Sequence, residues 1–170
     1  MPPQHKMRTT TDGPVVVSQK TLGALAAIRR QQLLPALYGR VVIAQSVYDA
    51  VTGSSGDLDH WDWLEIETDR PEQTLPPRVA GVNPSDAATL RLALAIGASL
   101  ILLEVPVKEK AKLSFCKCEG TVSILVLAHR LGHLSAVRPM IKALDRLGHG
   151  HVLPPPDQLE ALWKALDNLQ

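Results

Sequence analysis

The feature that most constrains this chain is a recurring order of segments: a short apolar run rich in β-branched residues, then at once a stretch with helical spacing. Val15-Val16-Val17 follows Gly13-Pro14 and leads into Leu22, Leu25 and Ile28, which recur at threes with Ala24, Ala26 and Ala27 between them. Arg40-Val41-Val42-Ile43-Ala44 leads into helical residues 45–51, and Ser99-Leu100-Ile101-Leu102-Leu103-Glu104 leads into a short basic helix over 107–112. Strands separated by helices pair in parallel through right-handed crossovers rather than through tight turns. The pattern predicts a three-layer α/β sandwich around a central, mainly parallel sheet.

The remaining segments fit that frame. A helix over 32–38 ends at Gly39, and Thr52-Gly53-Ser54-Ser55-Gly56-Asp57 reads as a loop. Trp63-Leu64-Glu65-Ile66-Glu67 alternates as a strand with one wet face, and a proline-rich connection follows. Asn83-Pro84-Ser85-Asp86 opens an almost wholly apolar helix that Gly97 stops. Helices are expected over 121–130 and 136–147. His151-Val152-Leu153 reads as a further strand, before three prolines and a C-terminal helix from Asp157 with Leu159, Leu162, Trp163, Leu166 and Leu169 on one stripe. No repeat recurs at a period of 20–50 residues.

At 170 residues, 45% of them hydrophobic and 21% charged, the chain suits one globular domain. The expected division is a disordered tail over 1–12, an α/β domain over 13–153, and an amphipathic helix over 154–170 packed on the domain or on a partner. A net charge of +1 argues against a dedicated nucleic-acid coat or membrane-surface binder. The longest apolar stretch falls short of the ~20 residues that a membrane span needs. Two closely spaced cysteines make no disulfide framework, so a cytoplasmic setting is expected.

In doubly wound sheets the working site lies at the carboxyl ends of the strands. Ser18, Ala44, Gln45 and Glu104 end the expected strands. Together with Leu22-Gly23-Ala24-Leu25, Val42-Ile43-Ala44-Gln45-Ser46-Val47-Tyr48, Asp86, the run from Ala95 to Glu104, and Gly120-Thr121, the order of elements resembles a PIN domain of the toxin-like bacterial and archaeal subgroup. The resemblance spans residues 15–147. It implies a divalent-metal ribonuclease, in which several carboxylates converge on Mg²⁺ or Mn²⁺ and position water against a phosphodiester. It also implies RNA as a partner, a cognate antitoxin, and a homodimer.

Mapped onto that pattern, Asp86 and Glu104 stand where acids are expected, as candidate catalytic and metal-binding residues. The first-strand acid is replaced by Ser18, a neutral ligand at best, and Lys20 brings a cation to the same turn. A further acid position falls on Ala50, with Asp49 pointing about 100° around the helix. The expectation is a catalytically impaired PIN-like module that binds nucleic acid or protein. The alternative is a weak Mg²⁺/Mn²⁺ ribonuclease using Asp86 and Glu104, which should then lie near each other. Asp86 also has a purely local role open to it, since an acid in a first helical turn adds ~0.3–1 kcal/mol.

Lys20, Lys108, Lys110 and Lys112 are candidates for a phosphate backbone, as is the stripe Arg138, Lys142 and Arg146, although solvated helix faces explain both groups. Cys116 and Cys118 with His149 and His151 would make four soft zinc ligands, at a spacing that matches no common zinc motif. The C-terminal stripe must bury against its own domain or against a second copy.

Overall fold

A computed structural model of the chain describes residues 13–55, 61–112 and 117–168. Residues 1–12, Cys116 and Leu169 lie outside the described residues, as does the side chain of Lys112. The chain runs β1 (Val15–Val17), α1 (Gln19–Ala27), α2 (Leu33–Tyr38), β2 (Val41–Ala44), α3 (Gln45–Ser55) and β3 (Leu64–Glu67). It continues through a 3-10 turn at Pro77–Val79 to α4 (Pro84–Ile96), β4 (Leu100–Leu102), α5 (Val107–Lys112), β5 (Lys117–Glu119), α6 (Thr121–Arg130) and α7 (Arg138–Arg146). A second 3-10 turn, Gly150–Val152, precedes α8 (Pro156–Asp167).

The five strands form one sheet in the order β3-β2-β1-β4-β5, every pair parallel. Winding goes outward from β1 to β3, then returns to β4 on the other side of β1. Right-handed crossovers carry α1 and α2, which follow β1, and α4, which follows β3, over opposite faces; α4 lies against β1 and β2, and α3 contacts both α1 and α4. The reversal of direction falls between β1 and β4, whose register aligns Val15 with Leu100, Val16 with Ile101 and Val17 with Leu102. Covered on both faces, these two strands are buried throughout, which is why they read as unbroken apolar runs. Leu22, Leu25, Leu34, Leu90, Leu92, Ile124 and Leu125 complete the core from the helices.

Three local expectations need correcting. The segment expected to loop from Thr52 continues α3 through Ser55, with the Thr52 hydroxyl bonding back to the carbonyls of Tyr48 and Asp49. The strand expected at His151-Val152-Leu153 is a 3-10 turn: Val152 and Leu153 bond to the carbonyls of His149 and Gly150, not to a neighbouring strand. Helix α7 starts at Arg138 rather than Ala136, with Pro139 in its first turn, where a missing N–H costs nothing.

Leu159, Leu162, Trp163 and Leu166 of α8 pack against the core of the same chain, yet no residue of α8 is fully buried. No described helix is long and apolar enough to cross a membrane. Truncation at the middle of the sheet should be costly, since Ile101 is 1% exposed between β1 and β5. Ile101→Ala is expected to lower the unfolding free energy by ~2–5 kcal/mol, read as a lower urea midpoint at unchanged slope.

Candidate functional site

The crevice between the carboxyl ends of β1 and β4 is where a doubly wound sheet places its ligand. Ser18 leaves β1 there: its N–H donates to the Leu102 carbonyl at 3.0 Å, and its side chain caps α1 by accepting from the Thr21 amide at 3.4 Å. Glu104 stands at the corresponding end of β4 and is 6% exposed, although it is a carboxylate.

A closed set of donors surrounds it. The Thr21 hydroxyl donates to Glu104 Oε2 at 2.6 Å, and the Ser18 hydroxyl donates to Thr21 Oγ1 at 3.1 Å. From the other side, the Thr121 amide donates to Oε2 at 2.9 Å and to Oε1 at 3.1 Å, and the Thr121 hydroxyl donates to Oε2 at 3.0 Å. Thr121 is the first residue of α6, whose N-cap Gly120 has no side chain to offer. Glu104 thus serves as the anion at that helix N-terminus. A Cβ on Gly120 would lie 3.1 Å from Glu104 Oε1 and 3.3 Å from the Leu103 carbonyl, a tight approach in which one of them would have to give. Its φ of −101° is one that any residue adopts.

Burial pushes the Glu104 carboxyl above the ordinary glutamate range. The bonds from Thr21 and Thr121 and the charge of Lys108 pull the other way without cancelling it. Lys108 is held close because its own amide donates to the Glu104 carbonyl at 2.9 Å. Lys20 is exposed in the first turn of α1, and Lys110 is exposed on α5. Of these lysines, Lys108 is the one whose charge acts on Glu104.

Asp86 has partners of its own. It sits at the N-terminus of α4, whose other end feeds the amino end of β4 through Ala98 and Ser99, so Asp86 lies toward the carboxyl side of the sheet. Its carboxylate accepts from Asn83 Nδ2 at 2.7 Å while its amide donates to Asn83 Oδ1 at 2.9 Å, a reciprocal cap. Asp86 and Glu104 share no bonding partner among the described residues. Asp49 is exposed and accepts from Gln45 Nε2 at 2.9 Å, and Ala50 is exposed beside it.

Among the described residues, Cys118, His149 and His151 do not form a metal-holding group. Cys118 is buried in β5, Cys116 lies outside the described residues, and the His149 and His151 rings stand tilted at 5.6 Å. Burial, then the charge of His151, holds the His149 imidazole below its usual value. Among the described residues no group of three or more His, Cys, Asp or Glu side chains is placed to hold a metal ion. Of the basic stripe on α7, Arg138 lies over the Trp163 ring at 4.5 Å, and Lys142 and Arg146 are exposed. Sequence reasoning missed Thr21 and Thr121 as site residues. The available signal was a threonine in the first turn of the helices that follow β1 and β5.

A family model described as PIN domain matches residues 14–152, most of the chain. No curated protein and no solved structure matches it.

Two stability measurements check this geometry. With its carboxyl raised above 4.5 in the folded state, Glu104 takes up its proton at a higher pH than in the unfolded chain. Folding stability should therefore rise as pH falls through the raised value, and the Glu104 contribution should level off near 4.5. That rise should be absent in Glu104→Gln when urea unfolding is followed from neutrality downward. Gly120→Ala should cost ~1–3 kcal/mol, because the added methyl displaces the carboxylate or the Leu103 carbonyl.

Proposed function

Because this chain belongs to the PIN-domain family, we propose that it is a PIN module that holds single-stranded RNA at the carboxyl end of its sheet without cleaving it. PIN domains are generally nucleases that work with Mg²⁺ or Mn²⁺. A hard divalent ion takes oxygen ligands, preferably anionic ones, and at least one carboxylate must have lone pairs to give.

The observation that carries the reading is how far Glu104 is engaged by the chain itself. Its Oε2 accepts three bonds from Thr21 and Thr121, and its Oε1 accepts one. The first-strand position is Ser18, whose hydroxyl is already engaged with Thr21. Asp86 is committed to Asn83. With Ser18 and Ala50 at two acid positions and most of the Glu104 acceptor capacity already used by the chain, this donor set suits Mg²⁺ or Mn²⁺ poorly, and the Lys108 charge opposes a cation further. Lys108 and Lys20 favour an anion. RNA fits them because a buried acid whose charge is met by hydroxyls, an amide and Lys108 repels a phosphate backbone less than a cluster of acids would.

Fluorescence anisotropy with a mixed-sequence single-stranded RNA in EDTA tests the proposal. Binding should weaken with salt, with a log–log slope near −0.7 per phosphate contact. The double variant Lys20→Glu, Lys108→Glu should bind at least ~10-fold more weakly. Added Mg²⁺ or Mn²⁺ should yield no turnover. Metal-dependent cleavage that vanishes in Glu104→Gln would instead establish a weak nuclease using the remaining carboxylates. Failure to bind RNA at low salt, with capture of an antitoxin-type protein on the same lysines, would assign the surface to a protein.

A further inference from the structure

Away from the strand ends, α8 lies against the ends of α6 and α7 and leaves a cleft of about 190 Å³. His129 on its wall is eight residues along α6 from Thr121, or ~12 Å of helix. The cleft is therefore separate from the Glu104 crevice. It is also smaller than the ~300–1,000 Å³ typical of sites for drug-sized ligands, which sets the scale of an occupant.

The floor is apolar, made by Trp163 and Leu166 of α8 and by Val137. Around it stand charges of both signs, Arg138 and Asp167. Neither forms an ion pair with the other or with any other described residue. Opposite charges lining one small cleft would ordinarily close on each other. Here the Arg138 guanidinium is held 4.5 Å from the centre of the Trp163 ring, which keeps its N–H edge available. His129 Nδ1 lies 3.0 Å from the Leu134 carbonyl. A carbonyl only accepts, so the neutral ring carries its proton on Nδ1 and presents Nε2 as an acceptor.

We propose that this cleft binds a free α-amino acid with an apolar side chain. The ligand carboxylate takes the Arg138 fork, its ammonium group takes Asp167 with His129 Nε2, and its side chain lies on Trp163 and Leu166. A ligand with both charges on a short apolar body answers every group present. A phosphate alone would meet Asp167, and a cation alone would leave Arg138 unanswered. The proposal is independent of the RNA-binding reading, because none of these residues belongs to the strand-end crevice.

Titration calorimetry of the full chain against the proteinogenic amino acids tests it. At least one apolar amino acid should bind, and its N-acetyl and carboxamide derivatives, which each lack one charge, should bind at least ~10-fold more weakly. Arg138→Gln and Asp167→Asn should each weaken binding by a similar factor and leave the melting temperature in place, since both side chains are exposed. Should Arg138→Gln melt early through the lost contact with Trp163, Asp167→Asn and the two derivatives still decide. Absence of heat with every amino acid at millimolar concentration overturns the proposal. So does equal binding of the derivatives, or binding indifferent to Asp167→Asn.

Discussion

Burying the Glu104 carboxylate at the end of β4 removes solvation that only hydrogen bonds can replace. The partners that replace it come from two separate helix starts. Thr21 brings in the first turn of α1, and Thr121 brings in the first turn of α6. One side chain thereby fixes how three strand–helix junctions meet at the point where the sheet reverses its winding. Gly120 is part of the same constraint, because the absence of a Cβ leaves room for β5 to turn into α6 close to the carboxylate.

That arrangement also sets the electrostatics of the crevice. Where a cluster of acids would repel itself unless a cation bridged it, a lone acid among hydroxyls and an amide is satisfied by the chain alone. Hydroxyls at positions 18, 21 and 121 are neutral donors, so they solvate one carboxylate without adding charge. Lys108 adds a positive charge beside that carboxylate, which is the basis of the proposal that the crevice takes an anion.

The C-terminal helix follows a different physical logic. Its stripe of Leu159, Leu162, Trp163 and Leu166 is half-buried on its own domain. The Arg138–Trp163 contact tethers the helix near its middle without filling the space beneath it. Half-burial of large side chains leaves both an attachment and a cleft, which a fully interdigitated helix would not.

Much of the fold was legible because burial on both faces leaves a mark on composition. The Val15–Val17 run and the apolar residues before Glu104 could belong only to central strands, and Asn83-Pro84-Ser85-Asp86 carried its own helix start. Parallel pairing and the placing of Ser18 and Glu104 at strand ends followed from the order of elements alone. At two places the sequence misled: α3 runs on through Gly53 and two serines that suggested a loop, and Val152 sits in a turn where its β-branching suggested a strand. Tertiary structure alone decided the partners of the two acids. Asp86 turns to Asn83, three residues away, and Glu104 turns to Thr21, 83 positions away, and to Thr121. No periodicity records a contact that long. Strand register and helix approach settle it in space, which is why the acids were readable as residues and their roles were not.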